Sequence, residues 1–279
     1  MDKNIIDTLI KIEFFDNKLS YENISKLAEN AYIAKVTDKS YLIKLSRKNN
    51  VMDGQSIADG NLDDIDMCYE IYEYKNHMTL KEYLEKSNND ATYNIAYKFG
   101  RKLKEFHQIK PRKDVDWYNL FNTKANYLFY MHGLSDKIGD RDYILIDYIS
   151  HNIHLTKSVK NSYIYINLTL DNILVSDNNE FVFLNFEYED IGDPVFDFTK
   201  INKIAIDYPK FAKGVLNGYF NDGKPPTKFF RLLAVYQAYL ILKNIVMTRD
   251  ELRYKYSKEE ENALLLMYDN FNQEVPIWV

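Results

Sequence analysis

One segment of the chain, residues 165–198, concentrates polar side chains at a spacing that suits a catalytic or metal-binding site. It reads YINLTLDNILV followed by SDNNEFVFLNFEYEDIGDPVFDF. Asn167, Asn172 and Asn185 recur through it, around a short apolar hairpin pattern. An amide cannot take up a proton at neutral pH, and it offers Mg²⁺ one carbonyl oxygen without charge. These asparagines are therefore weak candidates for general-base or metal chemistry.

Acidic residues follow the asparagines in the same segment. Glu187 and Asp190 could give a carboxylate to a metal ion, although a solvated acidic loop is the simpler interpretation. Asp193, in the Gly-Asp-Pro turn, and Asp197 could hold the loop by accepting hydrogen bonds from backbone N–H groups. The sequence favours this structural role for both aspartates.

Three other residues with reactive side chains lie outside this segment. Lys44, in the strand-like run YLIKL, is either a solvated lysine or a ligand for an anion. Cys68 is the only cysteine and lies in an apolar run, which indicates a buried thiol. His107 ends a helical pattern and is expected to pack against or cap that helix end.

The elements that position these residues change character along the chain. Residues 32–36 and 41–45 form a predicted β-hairpin, and residues 67–74 alternate like a strand. Thr79, with Glu82 three residues later, has the pattern of a capping box at a helix start. Helical patterns then follow, and they surround a second predicted hairpin at residues 173–184. They cover roughly residues 95–106, 117–130, 140–149, 229–247 and 258–268.

This order predicts an α+β chain with two parts. A small antiparallel β-rich part covers residues 1–75, and a larger, mostly helical part with an embedded hairpin covers residues 76–279. A cleft between two such parts is a common ligand site.

Composition and charge argue against some classes of partner. The net charge is −5 and no basic stripe is present, so nucleic acid is not an expected partner. The longest apolar stretch, Leu232 to Leu242, is too short to cross a bilayer, and the N-terminus lacks an apolar signal core. We therefore expect no membrane association and a cytoplasmic location, with which a single cysteine agrees.

The segment 165–198 resembles the aminoglycoside phosphotransferase and choline kinase family. The family pattern is H-G-D-x-x-x-x-N-I-L-V, a short hairpin, then I-D-x-x-x-x-x-x-G-D-P-x-x-D. The chain matches it at Asn172 to Val175, at Gly192 to Pro194 and at Asp197. The resemblance implies a protein kinase-like two-lobed fold, with a small antiparallel β N-lobe and a larger helical C-lobe.

The chain departs from this pattern where the resemblance places the chemistry. The aspartate that accepts the proton of the substrate hydroxyl is Asn167, the metal-binding aspartate is Asn185, and the histidine of the motif is Tyr165. Asn172 matches the family asparagine, either as a metal ligand or as a hydrogen-bonding residue of the loop. Loss of general-base catalysis alone typically costs about 10²- to 10⁴-fold in rate. The resemblance therefore implies an inactive or strongly impaired phosphotransferase.

The resemblance assigns nucleotide binding largely to the N-terminal part. Lys44 matches the strand lysine that holds phosphates, and Tyr72 and Tyr74 lie where the nucleotide is expected. The covering loop, Leu27 to Ala31, contains no glycine, so close backbone approach to phosphate is harder. Residues 46–56 leave little room for the helix that usually carries the glutamate partner of the lysine. ATP or GTP with Mg²⁺ is implied as cofactor, with weak or lost binding.

Two functions follow as expectations. The first is a pseudokinase-like binding or regulatory module, whose partner is a small molecule or a protein. Glu187, Asp190 and Asp193 would then form an acidic rim for a cationic ligand. The alternative is an active ATP-dependent phosphotransferase that acts on a hydroxyl of an aminoglycoside- or choline-type molecule. Asn172, Lys44 and Glu187 would carry that chemistry.

Overall fold

A computed structural model describes residues 3–47, 56–135, 139–166, 168–184, 190–247 and 256–279 of the chain. The chain forms two compact units, each of which takes residues from two separate stretches of the sequence. The first unit contains residues 1–86 and 167–189, and the second contains residues 87–166 and 190–279.

The first unit is built on an antiparallel five-stranded sheet in the order β1-β2-β3-β5-β4. The predicted first hairpin is confirmed, because Tyr32 pairs with Ile43 and Ala34 with Tyr41 across β2 and β3. The strands are β1 (Ile24–Ala28), β2 (Ala31–Val36), β3 (Lys39–Arg47), β4 (Ala58–Leu62) and β5 (Met67–Glu73). Side chains alternate between the two faces of such a sheet. One face packs on helix α1 (Lys3–Leu9) through an apolar cluster that contains Leu9, Ile43 and Ile71.

The predicted second hairpin is also confirmed, and it belongs to the first unit. Strand β6 (Met78–Thr79) pairs with β8 (Ile173–Val175), which pairs in turn with β9 (Phe181–Phe183). The hairpin packs against the N-terminal sheet, because Leu174 and Val182 lie in one apolar cluster with Leu42 and Tyr72. This grouping divides the chain differently from the boundary predicted after residue 75. The β6 strand leads into helix α2 (Leu80–Lys86), where Thr79 and Glu82 form the predicted capping box.

The second unit is mainly helical. Its short strands β7 (Ser162–Tyr163) and β10 (Ile191–Gly192) pair with each other. Its helices are α3 (Asn89–Gln108), α4 (Trp117–Gly133), α5 (Asp140–Asn152), α6 (Phe198–Ala205), α7 (Pro209–Phe220), α8 (Thr227–Val246) and α9 (Lys258–Met267). Each helical pattern expected from the sequence lies within or close to one of these helices.

Helix α8 is the most apolar of the longer helices. By length and composition it could cross a membrane, with a mean hydropathy of 1.3 over its most apolar window. However, 72% of that window is buried inside the protein. The apolar character of α8 therefore serves the core of the second unit.

Candidate functional site

Lys44 forms a buried ion pair with a strand residue. Its Nζ lies 3.1 Å from Oε2 of Glu70, and the two side chains are 6% and 4% exposed. The two residues lie opposite each other in the register of β3 and β5. The lysine thus has a carboxylate partner, but on the neighbouring strand and not on a following helix as the resemblance implied. The connection from β3 to β4 consists of residues 48–57. Residues 48–55 of this connection lie outside the described residues.

The sheet face that carries this ion pair is covered by apolar side chains. Leu42 lies two residues before Lys44, and Tyr72 two residues after Glu70, so all four share one face. Leu42 is fully buried and Tyr72 is 6% exposed. They form one cluster with three residues of the β8–β9 hairpin region, namely Leu174, Val182 and Leu184.

The two tyrosines expected at a nucleotide site take part in this packing. The Tyr72 ring lies 6.0 Å from the Lys44 Nζ, and Tyr74 packs against the cluster from its edge. Tyr74 also stacks on His77, with ring centroids 5.0 Å apart and an interplanar angle of 9°. Burial raises the pKa of Tyr74 and lowers that of His77, since both rings lose water. Both predicted residues are thus engaged with other side chains.

Asn172 lies at the end of a 3₁₀ turn, Leu170–Asn172, and is half-buried. Its carbonyl accepts a hydrogen bond from the backbone N–H of Leu184 at 2.8 Å. The residue before position 185 is therefore held next to Asn172. Asn167, Asn185 and Glu187, on which the predicted chemistry depends, lie outside the described residues.

In the second unit, Asp197 organises the segment that contains Tyr165. One carboxylate oxygen, Oδ2, accepts hydrogen bonds from the Tyr165 backbone N–H at 2.7 Å and from His107 Nε2 at 3.1 Å. The other ring nitrogen of His107 lies 3.0 Å from the Tyr219 hydroxyl. Burial raises the pKa of Tyr219 above its ordinary value, and the charges of Asp193 and Asp197 add to this. Asp197 therefore has the structural role that the sequence favoured, and Tyr165 itself is buried.

Asp193 holds the turn after β10. Its Oδ1 accepts from the Val195 backbone N–H at 3.0 Å, and its Oδ2 accepts from the Tyr236 hydroxyl at 2.7 Å. Tyr236 accepts in turn from Trp117 Nε1 at 2.9 Å. Burial raises the pKa of Asp193, although these hydrogen bonds counteract it in part. With 2% of its surface exposed, Asp193 does not fit the acidic rim proposed for it from sequence.

Asp190 is placed by its backbone. Its carbonyl accepts a hydrogen bond from the Ile164 N–H at 2.9 Å, next to the pairing of β7 with β10. Among the described residues, no group of three His, Cys, Asp or Glu side chains is arranged to hold a metal ion. The described residues around Asn172 therefore provide no cluster of carboxylates for a metal ion.

The sequence did not identify Glu70, Tyr236 or Trp117, although each contacts a predicted residue or its hydrogen-bond partner. Glu70 carried a usable signal, because it is the one charged residue inside the run MCYEIY of strand β5. Tyr236 is 43 residues from its partner Asp193 in the sequence. Trp117 is 119 residues from its partner Tyr236. Pairings at such separations leave no local pattern.

Solved structures with the same architecture were found for almost the whole chain. The choline kinase LicA from Streptococcus pneumoniae is 14% identical, with a TM-score of 0.53 over 95% of this chain and 98% of that chain. A choline/ethanolamine kinase family protein from Mesorhizobium loti is 11% identical, with a TM-score of 0.60 over 94% and 91%. The ADP-bound aminoglycoside phosphotransferase APH(2'')-Ib is 16% identical, with a TM-score of 0.55 over 97% and 99%.

The chain has the protein kinase-like fold of these phosphotransferases. No protein-family model matches the chain, and no curated protein sequence matches it. At 11–16% identity, these structures establish the fold and leave activity to be argued from the residues.

Proposed function

We propose that this chain is a degenerate member of the aminoglycoside phosphotransferase and choline kinase family that acts as a pseudokinase-like binding or regulatory module. One observation carries the proposal. The chain has the fold of these enzymes, yet asparagine stands at positions 167 and 185, where the family pattern has its two chemical aspartates.

The two substitutions act on different parts of phosphoryl transfer. An amide at position 167 removes a proton acceptor, which typically contributes about 10²- to 10⁴-fold in rate. An amide at position 185 removes negative charge from the metal ligands, and Mg²⁺ sites favour carboxylates. The two losses are not expected to add fully, because both residues serve one transition state.

We propose that nucleotide binding, like phosphoryl transfer, is weak or lost. The apolar cluster of Leu42, Tyr72, Leu174, Val182 and Leu184 supports this, because it covers the sheet face on which Lys44 lies. A base would have to displace side chains that are almost fully buried. The residues present therefore fit a purine nucleotide with Mg²⁺ poorly, and no catalytic step through that group is proposed.

The natural partner would then be a small molecule or another protein, in the cytoplasm. Neither nucleic acid nor a membrane is proposed as a partner. Asp190 and Glu187 stay candidates for an acidic rim that recognises a cationic ligand, whereas Asp193 is excluded from that rim by its burial.

An active small-molecule phosphotransferase is the alternative, and one observation favours it. Lys44 retains a buried carboxylate counter-ion in Glu70, as a working phosphate-binding lysine would. In that case Lys44 and Asn172, with a relocated carboxylate such as Glu187, would carry the reaction.

A turnover assay separates the two functions. The purified chain is incubated with ATP or GTP, Mg²⁺ and a panel of choline- and aminoglycoside-type acceptors, and nucleoside diphosphate is measured against a blank without protein. We expect no diphosphate above the blank. Sustained acceptor-dependent turnover would establish the alternative.

Restoring the carboxylates tests how far the site has decayed. We expect the double variant Asn167→Asp with Asn185→Asp to remain inactive, because the apolar cluster still covers the Lys44 face. A gain of acceptor-dependent turnover in this variant would show that the two amides alone block the reaction.

A further inference from the structure

A cavity of about 350 Å³ lies among three helices of the second unit. Its apolar wall takes one residue from each helix, Leu145 of α5, Ile245 of α8 and Leu265 of α9. Small-molecule sites in proteins commonly have this size, and they combine apolar walls with a few polar groups. The cavity shares no residue with the site described above.

Two carboxylates on the cavity wall are more than nine-tenths buried, Asp142 at 4% and Glu261 at 7% exposed. Glu261 has a cation beside it, because Lys258 Nζ lies 3.1 Å from its Oε1. Asn244 donates a further hydrogen bond to Glu261 Oε2 at 3.0 Å. The charge of Glu261 is therefore compensated within the protein.

The charge of Asp142 is compensated less completely. Its Oδ2 accepts hydrogen bonds from His132 Nε2 at 3.1 Å and from the Gly139 backbone N–H at 3.0 Å. Across the described part of the chain, the His132 imidazole lies within ion-pair distance of Asp142, and no lysine or arginine does. An imidazole carries positive charge only when it is protonated, so this buried carboxylate favours a ligand that brings a permanent positive charge.

The cavity also presents a positive group. Arg141 lies on the wall, and its guanidinium donates to the amide oxygen of Asn262 at 3.1 Å. Within the described ranges it forms no ion pair with a carboxylate. A guanidinium has several donors in a planar fork, so it can still bind an external carboxylate.

We infer that this cavity binds a small aliphatic zwitterion of the free amino acid class. The ammonium group of the ligand pairs with Asp142 and its carboxylate pairs with Arg141. Its aliphatic body packs against Leu145, Ile245 and Leu265. This site is independent of the proposed loss of phosphoryl transfer.

Calorimetric titration of the full chain with L-leucine tests the site, with two analogues that each lack one charge. Isoamylamine lacks the carboxylate, and 4-methylpentanoate lacks the ammonium group. We expect saturable binding of leucine and at least about tenfold weaker binding of each analogue, because each loses one charge-assisted hydrogen bond. An analogue that binds as tightly as leucine, or no saturable binding of leucine, would overturn the inference.

Variants locate the binding. Asp142→Asn should weaken leucine binding at least about tenfold, whereas Asp147→Asn, an exposed charge change on the same helix, should leave it unchanged. Ile245→Phe fills the cavity without altering the helix cap that Asp142 forms, so it also serves if the Asp142 variant folds poorly. Leucine affinity retained in folded Ile245→Phe, shown by an unchanged circular dichroism spectrum, would rule the cavity out as the site.

Discussion

At the scale of single residues, the Lys44–Glu70 pair gives the strand lysine a carboxylate partner on the neighbouring strand. The lysine was identified from sequence by its place in the strand YLIKL. Its partner depends on the register of β3 against β5, which sets Lys44 opposite Glu70. Register follows from the pattern of the whole sheet, so a search for a helical glutamate could not find this residue.

Breaking this ion pair should destabilise the protein strongly. We expect Glu70→Gln to lower the free energy of unfolding by about 3–5 kcal/mol, because it leaves the Lys44 charge buried without its carboxylate. Urea unfolding followed by circular dichroism measures the change. The double variant Lys44→Met with Glu70→Leu is the control, since an apolar pair of similar volume is often neutral. A double variant as unstable as Glu70→Gln would contradict this explanation.

Lys200 of α6 gives a prediction about pH. Burial lowers its pKa to about 8 from the ordinary 10.5; Asp197 opposes this shift, and Lys203 and Lys243 reinforce it. Between pH 8 and 10.5 the unfolded chain keeps this proton while the folded chain has lost it. The contribution of Lys200 to stability therefore rises with pH across that window.

Comparison of wild type with Lys200→Met isolates this effect. From pH 8 to pH 10, wild type should gain about 2 kcal/mol of unfolding free energy relative to the variant. Lys213→Met, at an exposed position of α7, should track wild type across the same range. Parallel pH profiles for wild type and Lys200→Met would show that the lysine keeps its ordinary pKa.

At the scale of elements, helices α3 and α7 pack unusually closely, and glycines allow it. A Cβ atom on Gly100 would overlap the carbonyl oxygen of Val215, and one on Gly218 would overlap that of Tyr97. Helix interiors otherwise disfavour glycine by about 1 kcal/mol relative to alanine. The two glycines therefore allow the close contact between the helices.

Gly218→Ala should lower the free energy of unfolding by about 2 kcal/mol despite the better helix propensity of alanine. Overpacking of a well-packed interface typically costs about 1–3 kcal/mol. Gly133→Ala, at the end of α4, is the matched control, because a Cβ atom there would contact nothing within 4 Å. It should be neutral or slightly stabilising. Equal effects of the two substitutions in urea unfolding would contradict the packing argument.

Local elements followed from the sequence more readily than their packing. Periodicity gave α3, α4 and α8, and β-branched and aromatic residues gave the β2–β3 hairpin. The short pairings of β6 with β8 and of β7 with β10 involve two residues on each side. Such pairs carry no period of their own. The sequence therefore predicted where the second hairpin lies along the chain, but not that it packs with the first unit.

The candidate site divides in the same way. Asn172, Asp193 and Asp197 were found because they match a motif with fixed spacing, and Lys44 was found by its place in the strand YLIKL. The burial of Asp193 was not foreseen, because it depends on Tyr236 and Trp117, which lie on distant helices. Long-range hydrogen bonds decide whether an aspartate faces a ligand or the core, and a motif alone does not record them.

At the scale of the whole molecule, the fold is that of phosphotransferases, whereas the predicted site residues are poorly suited to phosphoryl transfer. Nearly the full length of the chain superimposes on choline kinases and aminoglycoside phosphotransferases. Function resides in the site and not in the fold, and Asn167 and Asn185 depart from the pattern that the resemblance implies. The structural aspartates that hold the loops, Asp193 and Asp197, are retained. The proposed loss of catalysis rests on this combination of a kept fold and amides at positions 167 and 185.

Nucleotide binding to the intact protein is the most direct global measurement. A ligand present at about 100 times its Kd would stabilise the folded chain by about 2.7 kcal/mol and raise Tm by several degrees. We expect ATP or GTP, with or without Mg²⁺, to shift Tm by less than about 1 °C. The reason is that Leu42, Tyr72 and Leu174 already fill the face beside Lys44, so bound nucleotide would have to open a buried cluster. A nucleotide-dependent shift of several degrees that Mg²⁺ increases would show that the cluster opens readily. The metal site would then also have survived the change from aspartate to asparagine.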